Sequence, residues 1–325
     1  VLRGLEEKLR SNAGRVTVVT TRSGSILDVS PGWNHQCLGL AVDLGTTTVV
    51  AYLIDFRTGK PIGVKADMNP QVAEAEDVVS RISLCRERPE NLERLSGMAR
   101  KCIERLASSI CREQGIDTDR IFEIIVVGNT AMHHIFLGLN PEHLAMAPYT
   151  PVAADGFSVR AAELELAFSP ETRVHLPPVK AGFVGSDAVA MALALDADQL
   201  TEPTLMVDLG TNGEIVLASP DRILCCSTAA GPAFEGGHIR WGTRGAPGAV
   251  DSVDLSNSEG APRLSVIGGL APKGICGSGL VSLVSSLVRT GIVTSAGAFH
   301  TESLNPRLRQ GPDGLGYVLA EAHNT

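Results

Sequence analysis

Two short segments of the chain place an acid, a glycine and a hydroxyl side chain at the same spacing. Val42 to Asp55 read VDLGTTTVVAYLID, and Val207 to Ser219, about 165 residues further on, read VDLGTNGEIVLAS. In each D-x-G-T segment the aspartate ends a strand, the glycine permits a tight turn close to a ligand, and the threonine adds a hydroxyl beside backbone N–H groups. Each turn is therefore predicted to cradle a phosphate group.

The aspartates of the two turns predict a cation. A carboxylate at such a place is costly in free energy unless water or a cation solvates it. Asp43 and Asp208 could share one hydrated magnesium ion, since this ion prefers carboxylate oxygens and water as ligands. The alternative is that each segment is only a type I′ hairpin turn. Two copies, one opening each half of the chain, favour the phosphate site.

A third acid lies between the two turns. The segment AGFVGSDAVAMALAL, which begins at Ala181, predicts a helix capped by Ser186 or Asp187. A carboxylate in the first helical turn could act as a base that orients a water or hydroxyl in line with a γ-phosphate. The alternative for Asp187 is a capping role alone.

Hydrophobic patterns indicate the elements that position these residues. LGLAVD, TTVVAYLID and PIGVKADM predict three strands of an antiparallel meander, and IFEIIVV predicts a buried strand. Between them, apolar residues at steps of three and four predict a helix that packs on the sheet. These apolar positions are Leu92, Leu95, Met98, Ala99, Cys102, Ile103, Leu106 and Ile110.

The second half repeats the opening pattern. TLMVD, EIVLAS and RILCCS predict strands around the second turn, which indicates an internal duplication. A strand at RLSVIG and a helix at GICGSGLVSLVSSLV follow, and the remainder is expected to be loop. We expect residues 1–37 to be a linker or the end of a preceding small domain, 38–179 the first lobe, and 180–325 a second lobe truncated at its C-terminus.

Composition limits the function classes. With 325 residues, of which 44% are hydrophobic, the chain can bury a full core. A formal charge of −8 without a basic cluster argues against nucleic acid as a partner. Apolar runs shorter than about 18 residues and a start without a signal-peptide core predict a cytoplasmic chain with no membrane partner. Seven cysteines without a C-x-x-C pair predict reduced, buried thiols.

The paired motifs resemble the two phosphate loops of the superfamily of acetate and sugar kinases, heat-shock chaperones and actin. This resemblance covers about residues 38–290 and implies an α/β fold of two ribonuclease-H-like lobes with ATP and Mg²⁺ in the cleft between them. Loop one comprises Asp43 to Thr48, and loop two comprises Asp208 to Gly213. The implied ligand residues are Gly45, Thr46, Thr47, Thr48, Gly210, Thr211, Asn212 and Gly213 for the phosphates, and Asp43 and Asp208 for the metal. Carbohydrate kinases of the superfamily place their base as Asp187 is placed here.

Further sequence segments narrow the resemblance from the superfamily to one family. NPQVAEAEDVVSRI, VVGNTAMHHIFLGLNP, DLGTNGEIVL, STAAGPAFEGG and GICGSGL together resemble the ATP-dependent reductive activators of corrinoid proteins. That resemblance implies reduction of cob(II)amide to cob(I)amide on a corrinoid protein partner, with an electron from a low-potential donor. It also implies a two-iron, two-sulfur domain in the full-length protein, and it allows a homodimer.

Two family features are missing from this sequence. The C-x4-C-x2-C ligand spacing of a plant-type cluster does not occur, so the electron donor domain is expected outside the chain. The superfamily's Gly-Gly adenosine motif is expected beyond its end, because Gly268 and Gly269 fall too early.

Several residues have two interpretations. Gly231, in AGPAFEGG, could pass close to a ligand or shape a loop. Gly277 and Ser278 open a helix whose N–H groups could bind a phosphate, or mark close helix–strand packing. His133 and His134 are expected to pack rather than bind a metal, because adjacent helical residues point about 100° apart. The alternatives for the whole chain are a small-molecule kinase with Asp187 as base and a docking module without hydrolysis.

Overall fold

A computed structural model of the chain describes residues 4–34, 36–236, 239–256, 262–300, 305–312 and 314–321. The chain divides into two compact units. Unit one runs to Asp208 and includes Glu214–Thr228, whereas unit two comprises Leu209–Gly213 and the described residues from Ala229 onward. The division therefore falls inside loop two. The domain boundaries expected at residues 37 and 179 stay predictions.

Unit one begins with a short helix and a hairpin. They are α1 (Leu5–Arg10), β1 (Val16–Thr20) and β2 (Ile26–Pro31), and the two strands pair antiparallel. Leu27 and Val29 of β2 are buried. Arg120 Nη1 donates to Asp28 Oδ2 at 3.0 Å. This bond connects the hairpin to the turn that precedes the strand Ile121–Val127.

A six-stranded sheet forms the centre of unit one. Its strands are β3 (Leu38–Leu44), β4 (Thr48–Asp55), β5 (Lys60–Met68), β6 (Ile121–Val127), β7 (Phe157–Arg160) and β8 (Arg173–Leu176), in the order β5-β4-β3-β6-β8-β7. The first three form the predicted antiparallel meander. β6 then pairs parallel with both β3 and β8. The carboxyl ends of β3 and β6 therefore meet at one edge of the sheet.

Four helices accompany this sheet: α2 (Val78–Glu87), α3 (Pro89–Gln114), α4 (Thr130–Leu137) and α5 (Ser186–Ala194). α3 packs on β4 and β5. Leu95, Ala99, Cys102, Ile103 and Ile110 are all nearly inaccessible, as the three- and four-residue steps predict. The helix ends at Gly115, whose positive φ of 64° suits a glycine after the last turn.

Three strands surround the second turn: β9 (Thr204–Leu209), β10 (Asn212–Ser219) and β11 (Arg222–Ala229), in the order β11-β10-β9. Met206, Val216 and Ala218 are buried there and pack with Val184 and Ala188. The predicted strands of the repeat are thus present.

Unit two is built around β12 (Ala249–Asp254). β13 (Arg263–Val266) pairs antiparallel with β12, and β14 (Gly274–Ile275) pairs parallel. α6 (Gly277–Arg289), the predicted helix, packs on β12. The expectation of loop beyond α6 is wrong, since β15 (Leu308–Gly311) and β16 (Gly314–Tyr317) form a hairpin. Each of these strands has four residues, too short for a recognisable alternation.

Among the helices in the described ranges, none combines the length and apolar character that crossing a membrane requires.

Candidate functional site

Loop one connects β3 to β4 at the carboxyl end of β3. Pairing of the strands reaches Leu44 and Val49, which leaves Gly45, Thr46 and Thr47 outside the strands. A Cβ on Gly45 would lie 2.5 Å from the Thr48 carbonyl oxygen, so only glycine fits. None of these three residues has a positive φ. The type I′ alternative is therefore wrong for loop one, because that turn needs positive φ at both central residues.

The carbonyl oxygens of loop one are held from behind. Asn69 Nδ2 donates to Gly45 O at 2.8 Å, and Arg81 Nη2 donates to Thr46 O at 2.6 Å. The Asn69 backbone N–H donates to Thr47 O at 2.8 Å. In a planar trans peptide the N–H lies opposite the C=O. The N–H groups of Thr46 and Thr47 are thus directed away from Asn69 and Arg81, as in backbone anion sites.

The Thr46 side chain belongs to the interior. Its residue is only 5% exposed, and its Oγ1 accepts a hydrogen bond from Asn129 Nδ2 at 2.9 Å. Asn129 caps α4, since its Oδ1 accepts from Met132 N at 3.0 Å. The Thr46 hydroxyl therefore braces the loop, and the predicted ligand role of Thr46 would belong to its backbone N–H.

Two further glycines bring α5 to the same edge of the sheet. A Cβ on Gly128 would lie 2.6 Å from Leu44 O, and one on Gly185 would overlap the backbone of Gly128 and Asn129. Ser186 donates its N–H to Gly128 O at 3.0 Å, and its hydroxyl also bonds the Gly128 backbone. These contacts fix the start of α5.

Asp187 is the second residue of α5 and is half-buried. The N-cap position belongs to Gly185, so the predicted capping by Ser186 or Asp187 is wrong. The reason is that Ser186 bonds to Gly128 and Asp187 lies one residue inside the helix. Burial, together with the carboxylate of Asp208, raises the pKa of Asp187 to about 6, although the Ala188 N–H opposes this shift. A carboxyl group with such a pKa suits general-base chemistry near neutral pH.

Glu214 is a functional candidate that the motif comparison missed. It lies in β10 and is only 4% exposed. Its Oε1 accepts a hydrogen bond from Ser227 Oγ at 3.1 Å. Burial, and then the negative charges of Asp187 and Asp208, raise the pKa of Glu214 to about 7. Asp187, Asp208 and Glu214 therefore form one interacting set of acids in unit one.

A sequence signal for Glu214 existed. From Glu214 onward, the buried residues of β10 are Glu214, Val216 and Ala218, which alternate with the more exposed Ile215, Leu217 and Ser219. Strand alternation thus places the glutamate on the face that carries the core residues.

The turn of loop two is held through backbone groups. Gly210 N donates to Asn212 O at 3.2 Å. Ala230 N and Gly231 N both donate to Thr211 O, at 3.2 and 2.8 Å. Gly231 has a positive φ of 80°, which suits glycine. The structure thus brings Gly231 to loop two, as a ligand role would require.

The start of α6 has a packing explanation. A Cβ on Gly277 would overlap the Phe234 carbonyl, and one on Gly279 would overlap the Val250 carbonyl of β12. Ser278 Oγ lies 3.4 Å from Cys276 Sγ. Close packing of α6 on β12 therefore accounts for Gly279, and the close approach of the Phe234 backbone accounts for Gly277. A phosphate role for Gly277 and Ser278 stays a prediction.

The metal prediction also stays open. Asp43 and Asp208 are both exposed at the ends of their strands. In the described ranges no group of three or more His, Cys, Asp or Glu has the geometry of a metal site. The Glu235 side chain, another possible magnesium ligand, lies outside the described residues.

The two histidines of α4 are packing residues. His134 Nδ1 lies 2.7 Å from Thr130 O and its Nε2 accepts from Val152 N at 2.9 Å, which fixes a neutral ring with the proton on Nδ1. His133 is 3% exposed and meets Phe157 edge-on. Burial lowers the pKa of His133 to about 4.

The predicted reduced cysteines are present. All seven are free, and Cys85, Cys102, Cys111 and Cys276 are buried. Burial raises the pKa of Cys85 to about 11. Cys226 differs from the expectation because it is exposed.

Comparison with known families defines the class of protein. Residues 202–325 match the C-terminal domain of RACo, described as the ASKHA domain. Residues 38–200 match the RACo middle region. The chain belongs to the RACo family. The resemblance found in the sequence and the α/β fold class are both confirmed.

Two curated proteins and one solved structure are similar to the chain. The corrinoid activation enzyme RamQ of Eubacterium limosum is 39% identical over 283 residues, which are 86% of this chain and 47% of that protein. A [Co(II) methylated amine-specific corrinoid protein] reductase of Methanosarcina barkeri is 28% identical over 66% of this chain and 40% of its own length. A solved reductive activator for corrinoid,iron-sulfur protein is 37% identical, with a TM-score of 0.88 over 98% of this chain and 51% of that chain. This chain thus spans about half the length of these relatives.

Proposed function

We propose that this chain is the ATP-dependent part of a reductive activator of a corrinoid protein. It would couple nucleotide binding or hydrolysis to reduction of cob(II)amide to cob(I)amide. The observation that supports this is the match, over 98% of the chain, to a solved reductive activator for corrinoid,iron-sulfur protein. The partner in this proposal is a corrinoid protein, and the electron comes from an iron–sulfur domain outside the chain.

Loop one fits a phosphate group of the nucleotide. Its carbonyls are anchored by Asn69 and Arg81, so that the Thr46 and Thr47 N–H groups lie on the opposite side. The missing side chain of Gly45 lets the backbone approach a ligand closely. Loop two and Gly231 would hold the other phosphates through backbone groups.

The acids fit a divalent cation and a proton acceptor. Asp43 and Asp208 are exposed at strand ends and would hold Mg²⁺, which neutralises phosphate charge when bound. Asp187, with its raised pKa, would accept a proton from the attacking water. Glu214 would keep a proton near neutral pH and so limit the negative charge around Asp187.

The coupling can be stated in energies. A nucleotide shifts a conformational equilibrium only by the difference between its affinities for the two states. A difference of about 5.5 kcal/mol takes a population from 1:99 to 99:1. Each tenfold step of a one-electron transfer is about 59 mV, so this bias covers a gap on the order of 200 mV. One electron passes from the donor to cobalt(II), which becomes cobalt(I).

The test is reduction of a cob(II)amide protein, followed by absorbance under a low-potential reductant, with and without Mg-ATP. The test variant is Asp43→Ala with Asp208→Ala. The control is Asp55→Ala with Asp221→Ala, which removes two acids at the far ends of β4 and β10, the strands that follow loop one and loop two. ATP-dependent reduction that the test variant loses and the control keeps is the expected result.

A kinase is the second candidate, because the position and pKa of Asp187 also suit a base toward a substrate hydroxyl. ADP release that depends on added sugars or carboxylic acids, without cobalt reduction, would replace the activator proposal with this one. Nucleotide binding without turnover in either assay would indicate a docking module.

A further inference from the structure

Arg81 of α2 is a fully buried arginine, with 0% exposure. Its Nε donates to Ala75 O at 3.0 Å, and its Nη1 donates to Gln71 Oε1 at 3.0 Å and contacts Met132 Sδ at 3.1 Å. Its Nη2 makes the shortest bond, 2.6 Å to Thr46 O. The side chain thus spans from α2 to loop one.

The charge of Arg81 has no carboxylate in contact. Within the described part of the chain every hydrogen-bond acceptor of Arg81 is neutral. The nearest acid with a resolved effect on it is Asp77, whose carboxylate accepts from Ser80 N and Ser80 Oγ, both at 2.8 Å. Burial lowers the pKa of Arg81 to about 10, which leaves the guanidinium charged at neutral pH. A buried cation without a paired anion costs free energy, and an apolar side chain would avoid that cost.

The position of the charge indicates its use. Arg81 binds the carbonyl of the Thr46–Thr47 peptide, whose N–H lies on the opposite side. An anion on that side would meet an N–H polarised by a cation through one peptide group. Gln71 keeps the guanidinium in place, since its Nε2 donates to Leu95 O at 2.8 Å in α3.

We propose that Arg81 is a positioning residue and the fixed counter-charge for a phosphate or polyphosphate anion bound on loop one. This inference rests on one part of the proposed function, namely that loop one binds phosphate. The cation and the anion would lie on opposite faces of the loop, so Arg81 acts on the ligand through the backbone and does not touch it.

The test uses titration calorimetry of the chain with phosphate, pyrophosphate and tripolyphosphate, whose charge increases in that order. Arg81→Gln keeps a donor but removes the charge, and Arg81→Lys keeps the charge but removes the planar fork. Arg105→Gln is the control, because Arg105 is an exposed arginine of α3 that pairs with Asp67 of β5. Circular dichroism checks that each variant folds.

We expect Arg81→Gln to weaken phosphate about 10-fold and tripolyphosphate about 100-fold, the range of a charge-assisted interaction. Arg81→Lys should weaken all three by a similar factor, and Arg105→Gln should change none more than about twofold. An equal loss for all three anions in Arg81→Gln would indicate bracing alone and overturn the counter-charge. Unchanged affinities would overturn both roles.

A second measurement, on the wild-type chain, tests the proposal even if a variant fails to fold. In the wild-type chain, the ¹⁵Nε resonance of Arg81 should move on saturation with pyrophosphate and stay in place with chloride at equal ionic strength. A resonance that does not move overturns the proposal. Polyphosphate binding that depends on Arg81, without ATP-dependent cobalt reduction, would reject the proposed function and leave this inference standing.

Discussion

Loop one and loop two share a sequence motif but have different surroundings. Loop one is braced by side chains from three other segments, Asn69, Arg81 and Asn129. The turn of loop two is held by backbone hydrogen bonds from Gly210, Ala230 and Gly231. A duplicated turn has thus been fitted into two different frameworks.

The two loops also differ in the charged groups that accompany them. Six residues after the motif aspartate, loop one is followed by Val49 and loop two by Glu214, and both residues are buried. A buried cation lies behind loop one, whereas interacting carboxylates accompany loop two. The comparison supports the proposal that loop one binds an anion and that Asp187, Asp208 and Glu214 handle protons and a cation.

The largest effect is expected from alanine at the loop glycines. In Gly45→Ala the new Cβ would meet the Thr48 carbonyl at 2.5 Å, so we expect a loss of about 3 kcal/mol in the free energy of unfolding and loss of phosphate binding. In Gly231→Ala the new Cβ would enter open space, so the only cost is that of the positive φ. We expect that cost to be about 1 kcal/mol in the free energy of unfolding. Urea unfolding of both variants measures the difference.

Equal losses in these two variants would contradict the comparison, since they would mean that the rigid packing is the same around both loops. Gly59→Ala is a matched control for the cost of positive φ, because Gly59 lies in the β4–β5 turn with open space around it.

Asn129 separates bracing from charge at loop one. Asn129→Ala loses both the α4 cap and the bond to Thr46, so we expect a loss of about 2 kcal/mol in unfolding free energy. Asn129→Asp keeps a cap and can accept a bond from the Thr46 hydroxyl, and should unfold at nearly wild-type denaturant concentration. Its negative charge should nevertheless weaken pyrophosphate binding about tenfold. Unaltered pyrophosphate affinity in Asn129→Asp would show that loop one is not an anion site.

Local pattern predicted much of this molecule. The two turns, the meander, the buried face of α3 and the start of α6 all follow from alternation, helical steps and glycine. Each of these signals lies within a few residues of the feature that it predicts.

The bracing of loop one could not be predicted in the same way. Its side chains lie 24, 35 and 83 residues from the carbonyl or hydroxyl that they bind. Asn69, Arg81 and Asn129 acquire their roles only when β3, β6 and the helices assemble. Glu214 is different, because the alternation of β10 contained the information that it is buried.

Acid and base should affect the two regions in opposite directions. The pKa of His133, in the helix that Asn129 caps, falls from 6.5 to about 4 on burial, so its contribution to stability is lost as pH falls from 6.5 to 4. The pKa of Glu214 rises from 4.5 to about 7, so its contribution is lost as pH rises from 4.5 to 7. We expect each contribution to be on the order of 2 kcal/mol after allowing for solvent screening.

Unfolding free energies of metal-free protein at pH 4.5, 6 and 8 test this opposition. His133→Phe should reduce the loss on the acid side, and Glu214→Gln should reduce the loss on the basic side, where the raised pKa of Asp187 also contributes. Curves for the two variants that run parallel to the wild type would show that neither group carries the effect.

The smallest effect is expected at Ser227, and it tests which force dominates at Glu214. The Ser227 hydroxyl donates to Glu214 Oε1 and so opposes the rise in the pKa of that carboxyl group. Ser227→Ala should raise this pKa further and cost about 0.5–1 kcal/mol at pH 8, where the carboxylate loses its donor. Ser219→Ala, which removes a hydroxyl bonded to Arg222 O in the same hairpin, is the control and should leave the pKa unchanged. A carbon-13 titration of the Glu214 carboxyl group measures the pKa in both variants.

If Ser227→Ala leaves the pKa of Glu214 unchanged, burial and the neighbouring acids alone set this pKa. The electrostatic difference between Glu214 and Val49, the equivalent residue after loop one, then comes from the glutamate itself and not from the Ser227 hydroxyl.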